Sequence, residues 1–350
     1  MTTSHRRRVS ASPFDSNKIL GHLDKIIEWL DGKNPFAVTM EVDPTDKCNH
    51  HCPGCAGGRT SNDAMLGELE MMRVIKQAAV LGLRGITFTG GGEPLLNPYT
   101  IESMDYAKRL GLDVGLITNG SIGYPDWPKL LKICSWIRIS LDAGTPEMHR
   151  LTHGSKGFAR VVQNIRNIVS TKDSDGCTMG LGYLTGKGTD GFRDMMDFVD
   201  LAIELGVDYA QFRPYHTQAS KDLHRFRPID WAPFERKSTP KTAVLTSKHK
   251  YDAMLNGEIE RRYDTCYGHQ FATTLCANGD LTICCHTRGL PWATLGNIRD
   301  KSLEEIWNSE QRQEAVERID LSKCPLLCRC NTFNEILWQI KQPKTHPNFL

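Results

Sequence analysis

Residues 48–55 read Cys-Asn-His-His-Cys-Pro-Gly-Cys and follow the apolar run FAVTMEV at 36–42, which has the pattern of a β-strand. Three thiolates in one short loop can bind three irons of a four-iron cluster, so that the fourth iron has no protein ligand. A metal position without a protein ligand lets a substrate or cosubstrate bind the metal directly. The residues also allow a zinc site, with His50 or His51 as the fourth ligand.

Polar or glycine-rich segments also end the next three predicted strands. Gly-Gly-Gly-Glu-Pro occupies 90–94, Leu-Ile-Thr-Asn-Gly occupies 116–120, and Ser-Leu-Asp occupies 140–142. Glycines allow a ligand to approach the backbone closely. A polar residue after a strand often only caps the following helix. Four such strand ends in succession, the cysteine loop included, favour one shared site instead.

The order of apolar runs predicts an α/β fold. Short β-type runs separated by helical stretches favour parallel strands with right-handed crossovers, and six such units predict a partial (β/α)6 barrel. Catalytic groups are expected at the carboxyl ends of its strands. The predicted strands are 36–42, 85–89, 113–118, 136–141, 179–184 and 209–213. The predicted helices are 17–31, 68–81, 98–110, 127–134, 157–169 and 191–205.

Composition narrows the class of protein. The chain has 350 residues, 39% of them hydrophobic, and a net charge of +2, which gives no electrostatic argument for nucleic acid or a membrane as partner. No apolar run approaches the roughly 20 residues of a membrane span, and the N-terminus lacks the apolar core of a secretory signal. Three of the 12 cysteines lie within 48–55 and seven within 266–330. This clustering predicts two metal sites in a cytoplasmic protein.

The chain divides into four predicted parts. Residues 1–34 form a tail and a helix, 35–216 the barrel, 217–261 a linker or active-site loop, and 262–350 a small second domain. Asn278-Gly279-Asp280 predicts a β-hairpin in the last part, with strands at 271–277 and 281–287. Cys284 and Cys285 would then point to opposite faces of the second strand. Ser302 and Glu305 form a capping box, which predicts the start of a helix there.

On the motifs quoted from 48–55, 90–94 and 116–120, together with ISLDAGTPEMHR at 139–150, the chain resembles the radical S-adenosylmethionine (SAM) superfamily. The resemblance implies the partial barrel and a [4Fe–4S] cluster on Cys48, Cys52 and Cys55, with SAM on the open iron. Gly54 departs from the family pattern, which commonly places an aromatic residue there against the adenine. The residues that the resemblance assigns to SAM are Gly91, Gly92, Glu93, Thr118, Asn119, Ser140 and, for its carboxylate, Arg150.

The later cysteines fit either a zinc site with four cysteines or a second cluster. The spacing from Cys266 to Gly279 and Cys284 is similar to the opening of the SPASM/twitch extensions of radical SAM enzymes, which carry auxiliary [4Fe–4S] clusters. The remaining cysteines suffice for one auxiliary cluster. The ligands that the resemblance implies are four of Cys266, Cys284, Cys324, Cys328 and Cys330.

The resemblance also implies the chemistry. A reductase such as flavodoxin or ferredoxin delivers an electron, and a 5′-deoxyadenosyl radical removes a hydrogen atom from substrate. We expect a small polar natural product, such as a sugar, aminocyclitol or nucleoside, which Arg213, Tyr215 and His216 would meet. The auxiliary cluster would give dehydrogenation, whereas a thiol donor, Cys285 or Cys276, would give epimerisation. The alternatives are a maturase that modifies a ribosomal peptide or protein side chain and, more distantly, a non-catalytic zinc-stabilised binding module.

Overall fold

The computed structural model describes residues 16–53, 55, 63–123, 126–173, 176–186, 188–215, 227–256, 261–325 and 327–343. The strands in this part of the chain are β1 (Thr39–Val42), β2 (Gly85–Phe88), β3 (Asp113–Thr118), β4 (Trp136–Ser140), β5 (Thr178–Thr185), β6 (Tyr209–Pro214), β7 (Ala243–Thr246), β8 (Ala272–Leu275), β9 (Asp280–Thr282) and β10 (Thr294–Asn297). All of them belong to one sheet.

Helices alternate with the strands along much of the described chain. They are α1 (Leu23–Leu30), α2 (Glu68–Val80), α3 (Thr100–Arg109), α4 (Trp127–Ile133), α5 (Pro146–His153), α6 (Phe158–Thr171), α7 (Phe192–Leu205), α8 (Ala232–Glu235), α9 (Lys248–Asn256), α10 (Leu303–Trp307), α11 (Glu310–Glu317) and α12 (Asn331–Lys341). A 3₁₀ helix, Ser16–His22, leads into α1. None of the helices in the described part of the chain has the length and apolarity that crossing a membrane requires.

The strand order is β10-β9-β8-β1-β2-β3-β4-β5-β6-β7. Strands β1 to β7 are parallel to their neighbours, and β8 pairs with β1 in parallel register, Thr39 opposite Ala272. The hairpin strand β9 and then β10 continue the sheet in antiparallel fashion. The predicted parallel α/β fold is therefore confirmed, and β1 lies in the middle of the sheet.

Alternation along the strands separates two faces. Met40, Val42, Ile137 and Phe212 are buried in the hydrophobic core shared with the helices. Their neighbours in sequence point the opposite way, because successive residues of a strand face opposite sides. We call this second side the inner face. It carries Glu41, Thr87, Arg138, Ser140, Gly182, Gln211, Arg213 and Thr274.

The structure adds detail to two of the predicted parts of the chain. Residues 217–261 are not only a linker, because Ala243–Thr246 pairs with β6 as a seventh parallel strand and α9 follows it. The predicted hairpin joins the main sheet, since its first strand pairs with β1. The predicted capping box is present, with the Glu305 amide donating to the Ser302 hydroxyl at 3.2 Å. Its helix is short, because Ser309 caps a new helix, α11.

Candidate active site

The loop that carries the first thiol group, Cys48, Cys52 and Cys55, is fastened to the glycine-rich segment after β2. The Gly92 amide donates to the Thr45 carbonyl at 3.0 Å, and the Glu93 amide donates to the Lys47 carbonyl at 2.8 Å. A Cβ at Gly92 would lie 2.0 Å from the Lys47 carbonyl oxygen, so only glycine fits there. The glycines therefore let two loops at the strand ends touch.

The Glu93 carboxylate joins this loop to the end of β3. Thr118 Oγ1 donates to one of its oxygens at 2.6 Å, and the Asn119 amide donates to the other at 2.7 Å. The side-chain amide of Asn119 donates to Asn49 Oδ1 at 2.9 Å, inside the cysteine loop. Three of the residues assigned to SAM, Glu93, Thr118 and Asn119, thus form one hydrogen-bonded group beside the first thiol group.

Burial raises the pKa of Glu93 to about 7, although hydrogen bonds from Asn119, Thr118 and Leu95 lower it. Because the folded-state pKa lies above the ordinary value of 4.5, the folded chain binds a proton that the unfolded chain has lost. We therefore expect the free energy of unfolding of the SAM-free chain to rise by about 3 kcal/mol, relative to that of Glu93→Gln, as the pH falls from 8 to 4. Urea unfolding of both chains at each pH measures this gain, with the exposed Glu102→Gln as control. If the gain in stability is absent, or appears towards high pH, the pKa of Glu93 is not raised in the folded chain.

Ser140 and Arg150, which are also assigned to SAM, lie outside the hydrogen-bonded group of Glu93. Ser140 ends β4 on the inner face, in register with Gly182. Arg150 is exposed on α5, whose buried residues are Met148, His149 and His153. The structure therefore does not bring Arg150 to the Glu93 group, since a helix buries only one face and Arg150 lies on the other.

Three buried histidines lie against the first thiol group. His153 Nδ1 is 3.4 Å from Cys52 Sγ and 3.2 Å from His50 Nδ1, and the His149 ring stacks on His153. Burial and the neighbouring imidazoles lower the pKa values of His50 and His153 to about 4. Both are therefore neutral near pH 7 and act as hydrogen-bonding groups. Sequence analysis missed His149 and His153, whose spacing of four residues on one helix face was the available signal.

Asp142 follows β4 in an unusual backbone conformation. It is the one non-glycine residue of the described chain with a positive φ, 47°. Its Oδ1 accepts from the Leu184 amide at 2.6 Å, and its Oδ2 lies 3.5 Å from His153 Nε2. Burial raises the pKa of Asp142 to about 6. A strained, buried carboxylate beside the cysteine loop is typical of a functional site.

The second thiol group contains the five cysteines Cys266, Cys284, Cys324, Cys328 and Cys330. Cys328 interacts electrostatically with each of the other four. A hydrogen bond with Cys330 lowers the pKa of Cys328 to about 7 and raises that of Cys330. The structure thus brings all five together, and the selection of four ligands stays a prediction.

Cys285 and Cys276 occupy different surroundings. The strand predicted through 281–287 ends at Thr282, and a turn follows in which the Thr287 amide donates to the Cys284 carbonyl at 3.0 Å. Cys284 and Cys285 therefore do not lie in a strand, in contrast to the prediction that their side chains alternate across one. Burial raises the pKa values of Cys285 and Cys276 to about 12, and both interact with Asp43.

An ion-pair network links β1 to the turn after β9. Arg288 donates to Asp43 at 2.6 and 2.9 Å and to Glu41 at 2.7 Å, and Arg329 also contacts Glu41. The side chain of Asp43 is only 1% exposed and that of Arg288 8%. This network fixes the segment of the second thiol group against the inner face of the sheet.

The donor sets fit iron–sulfur clusters. Burial raises the pKa of Cys52 to about 12, and the neighbouring Cys55, Asp142 and Cys48 raise it further. Clustered thiolates without a neighbouring protein cation need a metal cation to stabilise them. In the second thiol group burial raises the pKa of Cys266 to about 11, and Cys328 and Cys324 raise it further, while the charge of Arg261 lowers the pKa values of Cys324 and Cys328.

Comparison with protein families agrees with this geometry. Residues 42–207 match the radical SAM superfamily, and residues 266–331 match the SPASM iron–sulfur cluster-binding domain. These matches include all of the first thiol group and all of the second. Such domains carry a SAM-binding [4Fe–4S] cluster and auxiliary iron–sulfur clusters.

Several known proteins are similar to the chain. The AdoMet-dependent heme synthase of Methanosarcina barkeri is 34% identical over 303 residues, 79% of this chain and 83% of that protein. The mycofactocin maturase MftC of Mycobacterium ulcerans is 28% identical over 153 residues, 40% and 38% of the two chains. Streptococcus suis SuiB with its precursor peptide SuiA has a TM-score of 0.64 at 14% identity, covering 91% of this chain and 75% of SuiB. The chain belongs to the radical SAM superfamily and is an enzyme with a C-terminal SPASM domain, a SAM-binding [4Fe–4S] cluster and auxiliary iron–sulfur chemistry.

Proposed function

We propose that this enzyme modifies a side chain of a peptide or protein bound at the inner face, between the two thiol groups. When bound, the cluster and SAM supply a 5′-deoxyadenosyl radical that removes a hydrogen atom from a carbon of the substrate. The observation that carries the proposal is that a polar inner face separates two thiol groups at opposite edges of one sheet.

The register of the strands supports this arrangement. The first thiol group follows β1, at the carboxyl edge of the parallel strands. Cys266 precedes β8, which is parallel to β1, and Cys284 follows the antiparallel β9, so both belong to the opposite edge. A substrate on the inner face would lie between a radical source and an auxiliary cluster.

Two relatives favour a peptide over the sugar, aminocyclitol or nucleoside expected from the sequence. MftC is a maturase, and SuiB has been solved with a precursor peptide. The inner face offers this substrate the side chains of Ser140, Gln211 and Arg213. Dehydrogenation or epimerisation, with Cys285 as a thiol donor, stays a prediction, as does an electron donor such as flavodoxin or ferredoxin.

The heme synthase supports a second candidate, a small organic molecule. The heme synthase shares 34% identity with this chain over 79% of the chain. Its name assigns it a cofactor as product and no peptide. A small molecule in the same place would meet the same inner-face residues.

Transfer of deuterium to SAM-derived 5′-deoxyadenosine distinguishes the two candidates. Cells that make this chain are grown in deuterated water, and part of their extract is treated with protease. Treated and untreated extracts are then each added to the anaerobically reconstituted enzyme with SAM and dithionite. We expect mass spectrometry to find deuterated 5′-deoxyadenosine, and protease treatment of the extract to remove that signal. A signal that survives proteolysis and passes an ultrafilter rejects the peptide and supports the small molecule.

A further inference from the structure

Two arginines of the inner face approach each other across β5. Arg138 projects from β4 and Arg213 from β6, on either side of Gly182. A Cβ at Gly182 would lie 3.5 Å from Arg138 Cδ and 3.5 Å from Arg213 Nη2. The glycine therefore leaves the space in which the two side chains meet.

A third cation reaches the same place from α9. The pKa of Lys250 is lowered by burial and then by the charges of Arg213 and Arg138. Cys328 and Cys285 act on Lys250 in the opposite direction. Lys250 therefore interacts electrostatically with the arginine pair and with cysteines of the segment that carries the second thiol group.

The neighbouring protein groups do not balance these charges. Asp142 is the carboxylate that acts on both arginines, but its Oδ1 accepts from the Leu184 amide and its Oδ2 faces His153. The buried Nε atoms of Arg138 and Arg213 have no hydrogen-bond partner in the described part of the chain. Gln211 lies between them along the face, 4% exposed, and its Oε1 is also without a partner there.

The same face shows how a buried arginine is balanced when the protein itself provides the anion. Arg288 contacts two carboxylates, Asp43 and Glu41, and its pKa is raised. Burial and the charge of Arg138 instead lower the pKa of Arg213 to about 9. A buried charge without a partner is strongly unfavourable, so the arginine pair is suited to an anion from outside the chain.

We propose that Arg138 and Arg213, with the charge of Lys250 nearby, form a pocket for an anionic oxygen group, a carboxylate or a phosphate, of the substrate. Guanidinium groups bind both groups through paired hydrogen bonds. Arg138 lies two residues before Ser140, about 6.6 Å deeper along β4, and Arg213 lies level with Leu184, from where its Nη2 reaches back to Gly182. The inference rests on the proposed function, since the anion belongs to the molecule that the radical attacks. Its source is an acidic side chain of a peptide or an acidic small molecule.

The first test needs no substrate. The thermal midpoint of the reconstituted enzyme is titrated with sodium phosphate and with sodium acetate, against sodium chloride of equal ionic strength. We expect a saturable rise with at least one anion, which Arg138→Met and Arg213→Met abolish and the surface variant Arg84→Met retains. Without an added anion, Arg213→Met is expected to be no less stable than the parent. No rise in the parent, or an equal rise in the arginine variants, overturns the pocket.

The second test uses the active extract from the deuterium experiment. Arg213→Met should raise the half-saturating amount of extract at least about tenfold, because that change corresponds to the free energy of one hydrogen bond to a charged group. The half-saturating concentration of SAM should stay unchanged. If carbodiimide amidation of the extract abolishes deuterium transfer, the anion is a carboxylate, and if phosphatase treatment abolishes it, the anion is a phosphate. Sensitivity of the transfer to protease distinguishes a peptide from a small molecule. Transfer that survives both treatments, or a raised SAM requirement instead, overturns the pocket. An extract that gives no transfer with the parent enzyme contradicts the proposed function, whereas the anion titration still reports on the pocket.

Discussion

Replacing Cys48, Cys52 and Cys55 together by Ala should abolish 5′-deoxyadenosine formation from SAM and dithionite, to the level of a protein-free control. It should also remove about four iron atoms per chain and leave about four, because each cubane holds four irons. The physical reason is that three adjacent thiols, one with its pKa raised to about 12, have only a metal cation to stabilise them as thiolates. Iron analysis and chromatography of the anaerobically purified chain measure both effects.

The matched control is Cys177→Ala, which removes a buried thiol that lies in neither thiol group. This variant should keep about eight irons and its 5′-deoxyadenosine activity. Persistent 5′-deoxyadenosine formation by the triple variant would refute the role of the first thiol group. Zinc in place of iron in the parent chain would restore the zinc alternative.

The parallel strands could be predicted because each is an apolar run bounded by a helical stretch. Strand β7 was missed because Ala243–Thr246 is one short apolar run in a polar segment that contains Pro228, Pro233 and Pro240, which favour a loop. The pairing of β8 with β1 was also beyond the sequence, because strands more than 200 residues apart carry no local sign of each other. Those two pairings extend the predicted six-stranded barrel on both edges.

The site shows the same division between local and long-range information. The strand-end motifs predicted that Glu93, Thr118 and Asn119 would lie together, and they form one hydrogen-bonded group. The histidine contact with Cys52 depends on which face of α5 is buried, and the motif alone does not show that His153 lies on that face. The balance of charge on the inner face depends on pairing across strands, so no single segment reveals it.

Replacing Arg288 by Met should destabilise the reconstituted enzyme by about 3–5 kcal/mol, because it leaves the buried Asp43 without its cation and Glu41 with Arg329 alone. The midpoint of urea unfolding measures this loss. The matched control is Arg84→Met, which breaks an ion pair with Asp24 whose side chains are 55% and 57% exposed. An exposed pair is worth less than about 1 kcal/mol, so this variant should unfold nearly as the parent does.

The pH dependence tests the cause of that loss. Burial already raises the pKa of Asp43, and the charge of Arg288 opposes this rise, so Arg288→Met should raise the pKa further. The folded variant then binds a proton that the unfolded chain releases above its ordinary carboxyl pKa of about 4. The deficit of Arg288→Met relative to the parent should therefore shrink as the pH falls from 8 to 5. A deficit that is constant or grows towards acid would mean that lost packing, rather than an uncompensated carboxylate, makes the variant unstable. Arg288 would then not be an arginine balanced by carboxylates of the protein, and the contrast with Arg213 on which the anion pocket rests would be lost.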